Sequence, residues 1–112
     1  MLKKAKFSLI KDDKEEIKED IKIIDNNNDY SFKIANNKII LNERLFELEN
    51  DEYKLKIDLI EKTSFIHLKE HQLDYDIKVE KIEYNNNDNR VEFIYKLETD
   101  DSENLIIIEK GE

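Results

Sequence analysis

The sequence predicts an all-β domain: an antiparallel up-and-down meander of about 8–10 strands that curls into a closed or nearly closed barrel. Three observations predict it. Apolar residues alternate with charged ones at period two along most of the 112 residues, the spacing of a strand with one buried and one wet face. Asn and Asp cluster between the alternating runs, where turns are needed. With one glycine and no proline, positive-φ turn positions fall to Asn and Asp. A chain of this length forms one domain, residues 1–112.

In order, Phe7 and Leu9 alternate with Lys6 and Ser8, and Asp12 and Asp13 close the first run. Residues 14–22 are rich in Glu and Lys, which suits a helix, but the β-branched Ile17, Ile21, Ile23 and Ile24 favour a strand. Tyr30, Phe32 and Ile34 form the third strand, and Ala35 to Lys38 reads as a two-residue hairpin centred on Asn36 and Asn37. Short runs follow at Ile39 and Leu41, then at Phe46 and Leu48. Tyr53, Leu55, Ile57 and Leu59 oppose Lys54, Lys56 and Asp58. Leu73, Tyr75, Ile77 and Val79 repeat that pattern. The parity then slips to Ile82 and Tyr84, which predicts a bulge near Glu80 and Lys81. Val91, Phe93, Tyr95 and Leu97 make another strand. Residues 105–108, all apolar, predict a last strand covered on both faces.

The strands Tyr53-Lys-Leu-Lys-Ile-Asp, Leu73-Asp-Tyr-Asp-Ile-Lys-Val and Val91-Glu-Phe-Ile-Tyr, with Leu68-Lys-Glu-His between the first two, resemble the C-terminal strands of a small bacterial family of unknown function. That family has a calycin-like β-barrel, related in shape to lipocalins. The resemblance covers about the C-terminal half and implies a barrel, with no functional residues to carry over. The chain departs from lipocalins proper in having no Trp, hence no Gly-x-Trp near the first strand, and it is shorter than they are.

The net charge of -9, with Lys interleaved among Asp and Glu, speaks against nucleic acid and anionic membrane surfaces as partners. No cysteine is present, which removes thiolate metal sites and cysteine nucleophiles. No run reaches the roughly 20 apolar residues of a membrane-spanning helix. A cytoplasmic location is expected.

His67-Leu-Lys-Glu-His71 has the H-x-x-E-H order of inverted zinc peptidases. On a strand, however, the two imidazoles stand about 13 Å apart, and no third His completes a site. There is no Gly-rich phosphate loop, no nucleophile elbow around any Ser and no calcium loop, so we expect neither a catalytic site nor a cofactor nor a metal.

Ligand contact is the reading left for three residues. Glu19 shares the parity of Ile17 and Ile21, and a carboxylate facing a core can bind a ligand's polar group. Tyr75 and Tyr95 share the apolar parity of their strands, as Tyr30 and Tyr53 do, and an inward phenol offers a hydrogen bond beside an apolar body. Arg44 and Arg90 adjoin turn segments, which places them on the surface. Two functions follow. One is a barrel binding a small apolar or amphipathic ligand; the other is a packed protein-interaction module, a homodimer included, using outward-facing Ile24, Ile40, Ile60, Ile66 and Ile94.

Overall fold

A computed structural model of the chain describes residues 2–111. Ten strands follow one another: β1 (Leu2–Lys11), β2 (Lys14–Asn26), β3 (Asp29–Ile34), β4 (Asn37–Leu41), β5 (Leu45–Glu49), β6 (Tyr53–Asp58), β7 (Thr63–Leu68), β8 (Leu73–Asn86), β9 (Arg90–Leu97) and β10 (Asn104–Lys110). Each pairs antiparallel with its neighbours in sequence, and β1 pairs with β10 to close the ring. All backbone between turns is therefore strand, including the Glu- and Lys-rich segment 14–22, where the isoleucines decide the outcome.

The meander puts the β1–β2, β3–β4, β5–β6, β7–β8 and β9–β10 turns at one end, the upper end here. The other four turns lie at the lower end, beside the start of β1 and the finish of β10. Two turns use consecutive left-handed residues, Asp12 and Asp13 (φ 49° and 65°) and Asn27 and Asn28 (φ 54° and 68°), as a hairpin with the native strand twist requires. The β3–β4 hairpin is centred one residue earlier than the amide pair suggests: Ile34 pairs with Asn37, so Ala35 and Asn36 make the turn, and Ala35 takes φ 51°. Register decides this, because it lets Ile34 and Ile39 both face the core.

The ring is not uniform. β2 pairs with β1 along its length but with β3 only through Ile24, Asp25 and Asn26. β8 is shared, with residues 73–78 on β7 and 79–86 on β9, and its register shifts between Val79 and Lys81, where the parity slip predicts a bulge. A second bulge between Leu9 and Ile10 leaves Glu16 of β2 without an opposite residue.

The interior is crossed by aromatic contacts. Phe46 of β5 meets Phe93 and Tyr95 of β9 with ring centroids 5.0 and 5.4 Å apart, and Phe7 of β1 meets Phe32 of β3 at 5.4 Å. Such pairs add about 0.5–1.5 kcal/mol each to the burial of their area. The last strand is covered on both faces as expected, with Ile106 and Ile108 inside and Ile107 only 6% exposed outside.

Ile66 departs from its expected outward placement. It stands between Leu55 and Tyr75 on the inner row and packs against the core. Its neighbour Phe65 is the half-buried outer residue. Two adjacent apolar side chains carry no parity signal of their own, and the pairing with β6 settles it.

Candidate functional site

The lower end holds a polar concavity of about 400 Å³, within the ~300–1,000 Å³ of small-molecule sites. The β2–β3 turn supplies Asn27, Asn28 and Asp29, the β4–β5 turn supplies Asn42, Glu43 and Arg44, and β8 supplies Tyr84 and Asn86. These turns are amide-rich because the chain has no glycine to spend on them. An Asn that bends the backbone also presents a donor and an acceptor at the barrel mouth.

A hydrogen-bonded frame fixes the back wall. The fully buried Tyr30 donates from its hydroxyl to Asn28 Oδ1 at 3.0 Å and accepts from Asn86 Nδ2 at 3.1 Å. Lys110 Nζ donates to Asn86 Oδ1 at 2.7 Å and lies 5.2 Å from the Tyr30 ring centroid. Asn42 Oδ1 accepts the backbone N–H of Arg44 and of Leu45, which locks the β4–β5 turn.

One group is left over. The Tyr84 hydroxyl is screened from solvent and makes no hydrogen bond of good geometry; the Asn86 side chain, which bonds to Tyr30 and Lys110, interacts with it only weakly. Burial pushes the phenol up to about 12, with Tyr30, Glu43 and Asp25 adding to the rise and the Asn86 side chain opposing it. The hydroxyl therefore stays neutral, able both to donate and to accept. An unsatisfied buried hydroxyl costs about 1–3 kcal/mol, so its place beside a polar concavity calls for an explanation. At the mouth, Glu43 and Arg44 are exposed, and among the described residues neither makes an ion pair.

The three residues singled out from the sequence do not converge on this end. Glu19 pairs with Phe7, so it stands on the inner row, yet it is exposed because β2 has left β3 at that height. Tyr75, also on the inner row, is 50% exposed, because residues 73–78 of β8 run on beyond the top of β9. Tyr95 is the inward phenol expected of it, stacked on Phe93 at 5.2 Å. Burial raises its pKa, and the nearby Tyr53 and Asp100 raise it further.

His67 lies on β7 opposite Asp74 and bonds to its carboxylate, while His71 is in the following turn. Among the described residues no three His, Cys, Asp or Glu side chains gather to hold a metal. Arg44 and Arg90 are both at the surface, Arg90 paired with Glu92.

Sequence reasoning misses the lower site because its residues look like turn formers. The usable signal is Tyr84, the one tyrosine left off its strand's first parity by the β8 bulge. No protein-family model, curated protein or solved structure matches the chain, so the resemblance to the calycin-like family rests on the strand pattern alone.

Proposed function

We propose that this barrel is a binding module whose small ligand sits at the amide-lined lower mouth and not in the lumen. The observation that carries the reading is the orphaned Tyr84 hydroxyl behind the concavity; a ligand oxygen completes it as the exposed Glu43 and Arg44 side chains swing outward. The aromatic contacts between β5 and β9 speak against the expected apolar guest inside the barrel. The module has no catalytic role in this reading, and calycin-like kinship is compatible with it.

The test is a thermal-shift screen of small polar metabolites on the wild type beside Tyr84→Phe and Arg44→Ala. Compounds that raise the wild-type melting temperature saturably, and lose that effect in both variants, are expected. A shift equal in all three proteins places binding elsewhere and overturns the reading.

A second reading, docking of a protein partner, is favoured by one feature. Leu2, Ile24, Ser31 and Ile40 are successive cross-strand neighbours on the outer face, with Leu2 63% and Ile24 51% exposed. Under that reading Ile24→Lys abolishes a complex or dimer seen by sedimentation. A wild type that sediments as a monomer and yields no complex that this substitution weakens rejects it.

A further inference from the structure

We infer that the ligand of the lower mouth is a neutral polyhydroxylated molecule of the sugar class, an inference that rests on the binding reading above. The lining offers donors and acceptors side by side. Asn27 brings a whole amide with no partner among the described hydrogen bonds. Asn28 keeps its amide donors, since only its Oδ1 is used, by Tyr30. Glu43 offers acceptors, Arg44 offers donors, and the neutral Tyr84 hydroxyl offers one of each. Ligands that only accept or only donate leave half of these groups bare, at the cost of burying them unpaired. A hydroxyl does both, and several on one ring match such a mosaic.

Charge points the same way. Asp29 and Glu43 against Arg44 leave the mouth weakly negative, and the whole chain carries -9, so a phosphate or carboxylate ligand is disfavoured. A cation meets the guanidinium of Arg44 at the rim. The face of Tyr30, behind the lining, already has a cation, Lys110, over it.

The experiment is an amide and side-chain-amide NMR titration of the labelled full chain with three probes: a panel of methyl hexopyranosides, gluconate and spermidine. Expected is saturable perturbation by at least one glycoside, confined to residues 27–29, 42–44 and 84–86. Tyr84→Phe should weaken it about tenfold, the loss of one buried hydrogen bond, and Asn27→Gly, which removes the amide and keeps the left-handed turn, should weaken it with the fold retained. Stronger perturbation of the same residues by gluconate or spermidine overturns the sugar class and leaves the end site standing. Perturbation confined to other parts of the barrel overturns both. Silence from every glycoside overturns the sugar class, while a hit dependent on Tyr84 in the metabolite screen then still upholds the site.

Discussion

Ala35 shows how little glycine this fold has to work with. It sits at φ 51° in the β3–β4 turn, a region that costs a residue with a Cβ about 1 kcal/mol relative to glycine. Ala35→Gly relieves that cost, partly offset by the greater freedom of glycine in the unfolded chain. Chemical denaturation should show a gain of up to about 1 kcal/mol; a loss would mean that the turn is held by its neighbours and carries no strain. Tyr84 is the complementary case, a residue whose polar atom works against stability. Tyr84→Phe removes an unpaired hydroxyl and keeps the ring, so its melting temperature should equal or exceed that of the wild type. A clear drop would mean that the Asn86 side chain satisfies the hydroxyl. Stability kept while ligand affinity falls is the signature of a group held for binding.

Among the elements, β2 explains Glu19. Residues 14–23 pair with β1 alone, which leaves a row of backbone groups open to another strand. Natural edges are defended by charge, by inward-pointing charged residues and by bulges. β2 has all three: Lys and Glu along its length, Glu19 on the inner row, and the bulge at Glu16. Glu19 thus reads better as a guard than as a ligand contact. Glu19→Ile is expected to make sedimentation velocity concentration-dependent, with larger species than the wild type forms; sedimentation unchanged from the wild type at high concentration would return the residue to the ligand candidates. This is also where the sequence stops being legible. Period two identifies most strands, and a parity slip marks the β8 bulge, because burial writes itself into alternation; β7, with Phe65 and Ile66 adjacent, and β10, a continuous apolar run, carry no such alternation. Which strands lose a partner, and at what height, depends on the stagger of the whole ring, and no local pattern records it. Glu19 and Tyr75 therefore have inward parity and outward exposure, while the Asn-rich turns that form the mouth look like turn chemistry and nothing more.

For the molecule as a whole, pH limits stability from both sides. At the acid limit, Asp12 joins the β1–β2 turn to the β9–β10 loop by accepting the backbone N–H of Glu103 at 3.1 Å. Its pKa is lowered by the Ser102 hydroxyl first and that N–H second. A depressed carboxyl contributes stability above its unfolded value of 3.8 and loses it as pH falls through the folded one. Both groups flank the seam where β1 meets β10, so acid loosens the closure of the ring. At the alkaline limit the sign reverses. Tyr84 and Tyr95 are raised from an ordinary value of 10.0, so above that pH the unfolded chain ionises first and the folded state holds more protons. Stability is then complete below about pH 10 and falls between there and about 12, where the Tyr84 phenol titrates in the folded chain. Phenolate absorbance followed against pH beside circular dichroism is expected to show late-titrating tyrosines that ionise together with loss of the β spectrum. Tyr84→Phe and Tyr95→Phe should each diminish that late step, Tyr95→Phe the more, because its phenol lies deeper in the aromatic stack. A single ordinary titration near pH 10 with the β spectrum intact would show that the phenols reach solvent without unfolding, and that the packed interior crossed by Phe46, Phe93 and Tyr95 is more open than its contacts imply.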